Sequence, residues 1–309
     1  MDTLGDGNSS NLRDIFIFSD TLAYAVGEIY IRDSVGDFDP IPYNLVRWDG
    51  KNWTPQRVTI NFRGTPITLP LVGIFGLSPS DIWLAGSIPI HGDGNQWVGF
   101  DVRSLPGNDS ASVSKCWGTN GFNMYFVGLN GTILRFNGST WTKLEGGTRL
   151  PINDIWGAGQ TILCVASDQA HGAGKKLLRI LGSTVSNVGD GGLPLSLSSL
   201  WFKPSGGYFV VGDGLFRASA IAANTSWESF HGGLTKYYSN AIHGSGVDIV
   251  VVGAFGDLLT YNGSTWHNHH DQTGLSFGSY YGVGIKGDLI VAVGQVFNKG
   301  IALIGKRSN

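Results

Sequence analysis

Three aspartates that could bind calcium lie in one short segment of the sequence. Asp33, Asp37 and Asp39 occur within seven residues, and carboxylate oxygens are ligands that calcium prefers. Their spacing is not that of an EF-hand loop, and Asp is common in turns. A turn is the favoured interpretation, with calcium as the alternative.

A group of histidines could bind zinc or nickel, which imidazole suits. His267, His269, His270 and Asp271 follow Trp266. In an outer strand, His267 and His269 would share one face. No further ligand stands out in the sequence, so an exposed polar strand is favoured. The sequence predicts no metal and no other cofactor.

Two aspartates and a lysine occupy similar positions in the sequence, each just before an apolar and an aromatic residue. Asp14 and Asp154 each precede an Ile and an aromatic residue, and Lys115 precedes Cys116 and Trp117. Carboxylates about 5 to 9.5 Å apart would serve glycoside hydrolysis. Structural ion pairs explain the same residues. We treat all three as candidate ligand-binding residues, and the sequence assigns no catalytic group.

Aromatic and basic side chains form a further candidate site, since rings stack on apolar surfaces and Arg presents planar donors. The set comprises Arg63, Arg149, Lys236, Tyr237, Tyr238, Tyr280 and Tyr281. Residues 237 to 244, YYSNAIHG, align without a gap with 280 to 287, YYGVGIKG. Packing between repeats is the favoured explanation of such tyrosine pairs, and ligand binding is the alternative.

Composition and missing motifs exclude several classes. Lys+Arg 21 against Asp+Glu 23 gives no basic excess for nucleic acid. Aromatic residues at 12% and charged residues at 14% exclude a disordered chain. No apolar run is long enough to span a membrane. The motifs of phosphate-binding loops, nucleophile elbows and zinc proteases do not occur.

The strands that position these residues are predicted from a sequence pattern that recurs along the chain. Its first-strand copies are RDIFIFS (13 to 19), VGIFGLS (72 to 78), SKCWGTN (114 to 120), NDIWGAG (153 to 159), SSLWFKP (198 to 204), NAIHGSG (240 to 246) and VGIKGDL (283 to 289). Second-strand copies are LAYAVG, DIWLAG, MYFVG, TILCVAS, YFVVG, DIVVVG and LIVAVG. The turns Asp49-Gly50, Asn137-Gly138 and Asn262-Gly263 then suit tight hairpins. The pattern predicts an all-β, seven-bladed β-propeller of four-stranded blades, a single domain over 1 to 309.

Two aligned positions of the first strand are expected to pack between blades, because both faces of an inner strand meet a neighbour. The first is Ile15, Ile74, Cys116, Ile155, Leu200, Ile242 and Ile285. The second is Phe16, Phe75, Trp117, Trp156, Trp201, His243 and Lys286. Cys116 thus replaces an aliphatic residue, and Cys164 lies on a second strand. Both thiols are predicted to be buried and unbridged.

The segments MYFVGLNGTILRFNGSTW (124 to 141) and DIVVVGAFGDLLTYNGSTW (248 to 266) resemble a set of bacterial extracytoplasmic propeller repeat proteins, largely uncharacterised, with repeats of the type DIWAVG followed by GTILHYNGSTW. The resemblance implies the fold and a location outside the cytoplasm: periplasmic, cell-surface or secreted. It implies little chemistry, because fold does not fix function.

Loop length separates the two faces of the predicted ring. Turns between third and fourth strands are minimal, whereas 28 to 44, 87 to 96 and 168 to 174 are interpreted as long loops between second and third strands. Long loops on a rigid scaffold usually carry binding. We therefore expect 28 to 44 and 87 to 96 to stand side by side, on the face of Tyr237 and Tyr280.

The seventh repeat reaches its third strand, 300 to 305, without a fourth. Asp2-Thr3-Leu4 aligns with Thr142-Lys143-Leu144, and residues 2 to 4 are predicted to pair with 300 to 305 and close the ring. Met1 then falls where Trp141 stands. This alignment predicts that the natural chain extends further upstream, through an export signal.

Taken together, the sequence predicts a non-catalytic, exported, monomeric propeller that binds a protein or polysaccharide through its long-loop face, with no nucleic-acid partner. The alternative is a carbohydrate-active enzyme, a glycoside hydrolase or lyase, with its site at the same channel mouth. A structural spacer is a third possibility. The separation of Asp14 from Asp154 tests the enzyme alternative, and a flat face without a pocket would favour the spacer.

Overall fold

Seven four-stranded antiparallel sheets and one two-stranded sheet make up the computed structural model. It describes residues 1 to 306 except 106, 109, 110, 204, 206 and 231. Each four-stranded sheet is one blade, and consecutive first strands pack against one another in a ring. The predicted seven-bladed β-propeller is confirmed.

The blades follow one another along the chain, and the strands of each run from the inner strand outward. Blade 1 is β2 (Asn11–Ser19), β3 (Leu22–Ile29), β4 (Tyr43–Trp48) and β5 (Trp53–Gln56). The hairpin β6 (Thr59–Phe62) and β7 (Thr65–Thr68) precedes blade 2, which is β8 (Gly73–Ser78), β9 (Asp81–Gly86), β10 (Ile88–Gly92) and β11 (Trp97–Gly99). A 3-10 turn (Val102–Ser104) leads to blade 3, which is β12 (Ser112–Asn120), β13 (Asn123–Leu129), β14 (Ile133–Phe136) and β15 (Trp141–Lys143).

The remaining four blades complete the ring. Blade 4 is β16 (Ile152–Ala158), β17 (Thr161–Ser167), β18 (Lys175–Leu181) and β19 (Thr184–Val188). Blade 5 is β20 (Leu197–Phe202), β21 (Tyr208–Gly212), β22 (Gly214–Ala218) and β23 (Glu228–Ser229). Blade 6 is β24 (Ser239–Ser245), β25 (Asp248–Gly253), β26 (Leu258–Tyr261) and β27 (Trp266–Asn268), followed by the helical turn α1 (His270–Thr273). Blade 7 is β28 (Ser279–Lys286), β29 (Leu289–Val296), β30 (Lys299–Lys306) and β1 (Asp2–Leu4).

The glycine that ends most second strands is required by a close backbone approach. A Cβ on Gly128 would lie 2.0 Å from the carbonyl oxygen of Ser112. The first strand bulges at this point, between Val113 and Lys115, and the same bulge recurs in most other blades. Only a residue without a side chain fits against the bulged strand.

In blades 4, 5 and 6, the extra residue of the bulge donates its side-chain hydrogen bond to the next blade. The amide group of Asn153 donates to the Leu197 carbonyl at 2.8 Å, and that of Asn240 donates to Tyr280 at 2.7 Å. Ser198 donates to the Ser239 carbonyl at 2.6 Å. These bonds join blades 4, 5, 6 and 7 around the axis.

Aromatic residues of one inner strand pack onto a glycine of the next. A Cβ on Gly157 would lie 2.4 Å from the Trp117 ring, and one on Gly244 would lie 2.5 Å from Trp201. The recurring aromatic and the glycine that follows it in the repeat therefore belong to one inter-blade contact. Packing of this density leaves little tolerance for an added methyl group.

The predicted alignment of blade 7 is wrong by two residues. Tyr280 takes the place of Ser239, because each pairs with the glycine that ends its second strand. Val283 and Gly284 therefore occupy the two aligned positions that the sequence alignment had assigned to Ile285 and Lys286. The gapless match of 237 to 244 with 280 to 287 compared tyrosines that are not equivalent, since the register follows the bulge rather than the local residue types.

The interpretation of 87 to 96 as one long loop is also wrong. Only Ser87 connects β9 to β10, and residues 93 to 96 form the turn to β11 on the opposite face. Residues 93 to 96 have the composition of a loop because they form a tight turn, in which the Asp93 carboxylate accepts the amides of Asn95 and Gln96. The expected loops around 30 to 42 and 168 to 174 are present.

The chain start closes the ring as predicted, in a different register. Asp2 pairs with Ala302, and Leu4 pairs with Gly300. In blade 3 the residue that corresponds to Ala302 is Ile133, which accepts the amide of Leu144. Asp2 therefore corresponds to Leu144 and not to Thr142.

Both cysteines are buried and unbridged, as predicted. Burial raises the pKa of each thiol well above its usual range. A thiol held in this state is a poor nucleophile, because the thiolate is the reactive form.

Deleting residues 1 to 5 should destabilise the ring, because it removes the buried Leu4 and uncovers the edge of β30. We expect the free energy of unfolding to fall by about 3 kcal/mol, the scale for losing a buried Leu. Urea denaturation would measure this. The double substitution Asp2→Ala, Thr3→Ala changes only exposed side chains and should leave stability unchanged. A deletion variant as stable as the wild type would contradict the closure.

Candidate functional site

Asp14 binds three groups near the central axis. One carboxylate oxygen accepts the amide of Ile15 at 3.0 Å, and the other accepts the amide of Ile74 in blade 2 at 3.1 Å. Lys115 of blade 3 places its Nζ 2.8 Å from the second oxygen. This carboxylate therefore links three consecutive blades.

Asp154 makes the equivalent link between blades 4 and 5. Its carboxylate accepts the amide of Ile155 at 2.9 Å, the amide of Leu200 at 3.1 Å and the hydroxyl of Ser199 at 2.5 Å. The Ser199 hydroxyl in turn accepts the amide of Ile242 in blade 6 at 3.3 Å. The aligned positions of Asp14, Lys115 and Asp154 form a polar belt, which continues through Ser199.

Electrostatics within the belt favour a charged lysine. Burial opposes the charge of Lys115, but the carboxylates of Asp14 and Asp154 outweigh this and raise its pKa. Burial raises the pKa of Asp154, opposed by Lys115 and by the bond from Ser199. All three side chains hold neighbouring strands, so the geometry supports a structural role rather than a pair of free carboxylates.

The rings of Trp156 and His243 contact each other on the inner strands of blades 4 and 6. Trp156 packs against the cores between blades 3 and 4, 4 and 5, and 5 and 6, and donates its indole N–H to Phe202 at 2.9 Å. His243 meets the Trp156 ring edge to face at 4.9 Å. Burial lowers the pKa of His243 to about 4.

The remaining candidate residues are spread over several connections. Arg63 lies in the turn of the β6–β7 hairpin and pairs with Asp101 at 2.6 Å. Arg149 is exposed in the connection from blade 3 to blade 4. The two arginines thus lie on connections other than those that carry the tyrosines.

The four tyrosines have different environments. Tyr280 is fully buried, so it serves packing and cannot contact a ligand. Tyr281 lies under the guanidinium of Arg13 at 4.7 Å from the ring centre. The hydroxyl of Tyr238 is 2.9 Å from that of Ser196. Tyr237 is half-buried, with Lys236 at 5.3 Å above its ring.

The aspartates considered for calcium are engaged in loop structure. Asp33 accepts the amides of Val35 and Asp37 at 2.9 and 3.0 Å. Asp39 forms an ion pair with Arg57, and the bond from the amide of Ile41 lowers its pKa. These contacts agree with the favoured interpretation of this segment as a turn.

The histidines do not line one strand face, because β27 ends at Asn268 and α1 begins at His270. The ring of His269 contacts Thr260 at 2.8 Å and Gln272 at 3.0 Å. Among the residues that the structure describes, no group of three or more His, Cys, Asp or Glu side chains is arranged to hold a metal ion.

The structure shows a cluster of aromatic side chains on the long-loop face of blades 6 and 7, of which the sequence had indicated only Tyr237. We call Tyr237, Phe255, Phe277 and Phe297 the aromatic patch. Phe255 is 47%, Phe277 61% and Phe297 77% exposed. The Phe277 and Phe297 rings are 5.8 Å apart, and the Tyr237 and Phe255 rings are 5.3 Å apart. Phe255 joins the two pairs by donating its amide to the Gly278 carbonyl at 2.8 Å.

Two residues of the patch occupy a backbone conformation that disfavours them. Phe255 has φ of 57° and Phe297 has φ of 43°, each in the tight turn between second and third strands. The residue of blade 3 that corresponds to Phe255 is Asn130, at 56°. Such turns favour Asn, Asp or Gly. A bulky residue there is a strained feature of the kind that clusters at functional sites.

Comparison with solved structures supports the propeller assignment. A structure described as YCF48 bound to D1 peptide superposes with a TM-score of 0.70 at 14% identity, covering 99% of this chain and 94% of that chain. YCF48 from Cyanidioschyzon merolae gives 0.67 at 12%, covering 99% and 98%. The WD40 propeller domain of Doa1 gives 0.66 at 14%, covering 99% and 96%. At these identities the likeness shows the fold alone.

Neither protein-family models nor curated proteins gave a match to this chain. Within the described residues, no helix has the length and apolar character needed to cross a membrane.

The substitution Asp14→Ala should lower the free energy of unfolding by about 3 kcal/mol, because it leaves two buried amides without an acceptor and removes the partner of Lys115. Urea denaturation measures the change. Asp37→Ala, at an exposed carboxylate, is the control and should change stability by less than about 0.5 kcal/mol. Equal stability of the two variants would reject the structural role of the belt.

The depressed pKa of His243 makes stability depend on pH. The unfolded chain binds a proton near pH 6.5 and the folded chain only near 4, so stability is highest above 6.5 and falls as pH drops toward 4. The loss is at most about 3 kcal/mol. His243→Phe, which inserts the residue type found in other blades, should flatten this part of the profile. An unchanged dependence of stability on pH in this variant would contradict the lowered pKa of His243.

Proposed function

We propose that this protein is a non-catalytic binding scaffold that acts outside the cytoplasm and holds a partner protein on its long-loop face. The aromatic patch is the observation that carries the proposal. Exposed aromatic side chains are the usual anchors of protein interfaces. The strained turns of Phe255 and Phe297 indicate that those two rings are retained for a reason other than turn stability.

The two faces of the ring offer a partner different surfaces. The long-loop face combines the patch, the 30 to 42 loop and the β6–β7 hairpin, whereas the opposite face consists mainly of short turns. Lys236 beside Tyr237 adds a positive charge at the edge of the patch. Charges at the rim of an interface speed association with an oppositely charged partner.

A partner protein suits the patch better than a polysaccharide does. The ring pairs of the patch are tilted at 45° and 47° and form no flat platform. Tilted rings leave clefts for apolar side chains, while sugar faces stack on flat rings. A solved neighbour is described as YCF48 bound to D1 peptide, which supports peptide binding by this fold class. The repeat resemblance supports the location outside the cytoplasm.

The enzyme alternative draws no support from Asp14 and Asp154. Each carboxylate oxygen of Asp14, and both of Asp154, accepts a backbone amide. A general acid or nucleophile must be free to meet the substrate.

The double substitution Phe255→Asn, Phe297→Asn tests the proposal. Asn suits the left-handed turn, so the variant should be as stable as the wild type or more stable by about 1 kcal/mol per site. Its binding to the partner should weaken at least tenfold. Affinity capture from the native organism, followed by titration with the purified partner, measures this.

A matched control changes an exposed aromatic residue on the other face. Phe122 is 74% exposed in the turn between the first and second strands of blade 3, and Phe122→Asn should leave binding unchanged. A glycan array with the same variants tests polysaccharide as ligand, and fractionation of native cells tests location. Equal binding by the patch variant and wild type would overturn the proposed face.

A further inference from the structure

Asp257 is a buried carboxylate that lacks hydrogen bonds. The residue is 1% exposed, and neither of its side-chain oxygens accepts a hydrogen bond from any residue that the structure describes. Asp14 and Asp154 differ in this respect, because their oxygens accept backbone amides. Ionising a buried acid without hydrogen bonds is unfavourable.

Three polar side chains face Asp257. Thr235, before blade 6, and Asn268, at the end of β27, lie close enough to favour its ionised form, yet neither donates a hydrogen bond of ordinary length to it. The Asn268 amide group donates to the Leu234 carbonyl instead. His270 of α1 is the titratable group that faces the carboxylate, and its Nδ1 is also buried without a partner. Burial outweighs these neighbours and raises the pKa of Asp257.

The turn that holds Asp257 also presents Phe255 of the aromatic patch. The backbone amide of Asp257 donates to the Ala254 carbonyl at 3.1 Å, and its carbonyl accepts the amide of Gly253 at 3.0 Å. These two bonds close the turn between the second and third strands of blade 6, with Phe255 inside it. The position of Phe255 therefore depends on that of Asp257.

His270 connects Asp257 to a second ring of the patch. Its imidazole stacks on Tyr237, with ring centres 4.9 Å apart. Tyr237 in turn lies 5.3 Å from Phe255. Two of the four rings are thus linked to the buried carboxylate, Phe255 through the turn and Tyr237 through the imidazole.

We propose that protonation of Asp257 controls the shape of the aromatic patch. While the carboxyl group holds its proton, the turn stays closed and keeps Phe255 beside Tyr237. Loss of the proton leaves a buried negative charge without a compensating hydrogen bond, and the imidazole that faces it carries no charge at high pH. The turn then opens to hydrate the carboxylate, and Phe255 leaves Tyr237.

The raised pKa of Asp257 gives the direction of this effect. Between the ordinary value of 3.8 and the raised value, an exposed carboxyl group is ionised while the buried one still holds its proton. The closed turn is therefore most stable below pH 3.8 and loses stability as pH rises through the raised pKa. His243 has the opposite effect on the whole ring, which loses stability as pH falls.

A partner held on the patch is therefore bound while Asp257 is protonated and released as pH rises. This regulation rests on the proposed function, because the patch is the surface proposed to hold the partner. The coupling itself is a property of the free protein. Measured without a partner, it stands or fails separately from the proposed binding face.

Nuclear magnetic resonance of the whole protein tests the coupling from about pH 4.5 to about pH 9. The carboxyl carbon of Asp257 should titrate with a midpoint above the ordinary range for Asp. The nuclear Overhauser effect between the rings of Phe255 and Tyr237 should fall by half or more with the same midpoint, as the closed population falls. This effect reports the proximity of the rings, so titration of the His270 imidazole does not imitate it.

Asp257→Thr is the matched variant, because Thr132 closes the equivalent turn of blade 3 with the same two backbone bonds. The variant should keep the ring contact over the whole pH range. Asp288→Thr, at an exposed carboxylate in the turn between β28 and β29, is the control and should behave like the wild type. Should Asp257→Thr fail to fold, Asp257→Asn keeps the shape without the charge and gives the same comparison.

Three results would each overturn the proposal. They are titration of Asp257 in the ordinary range, a ring contact that stays constant while Asp257 titrates, and a ring contact that still varies with pH in the variants at position 257.

Discussion

The approach of each second strand to a bulged first strand is the constraint on which the ring is built. At Gly128 and Gly294, the carbonyl of the first strand lies about where a Cβ would stand, 2.0 and 1.9 Å away. In most blades the bulge frees one residue of the inner strand from the ladder. Asn153, Ser198 and Asn240 use that freedom to bond to the next blade. The tight hairpin and the link between blades thus have one cause.

The polar belt extends the same principle. Asp14, Lys115 and Asp154 follow the bulge directly, so the inner strands bring them toward the axis. Buried carboxylates persist where hydrogen bonds and an opposite charge compensate their desolvation. Amides of adjacent strands and Lys115 supply this compensation. Residues suited to catalysis by type are therefore used to hold blades in register.

One surface at blades 6 and 7 is not explained by this packing. The aromatic patch exposes Phe255 and Phe297 at a conformational cost, because both residues have positive φ. The closing blade takes its outer strand from the chain start, where Asp2 pairs with Ala302.

Short-range patterns along the chain were enough to predict the number of blades, the strand types, the tight Asn-Gly turns and the burial of Cys116, because these follow from periodicity and turn chemistry. Packing in three dimensions set the register of blade 7 and the true extent of β10, and it placed Arg63 on a different connection from the tyrosines. It also created the patch. Bulges shift register without changing residue type, and contacts between distant repeats depend on how blades pack. Neither the position of a bulge nor the contacts between distant repeats can be read from a linear pattern of apolar residues.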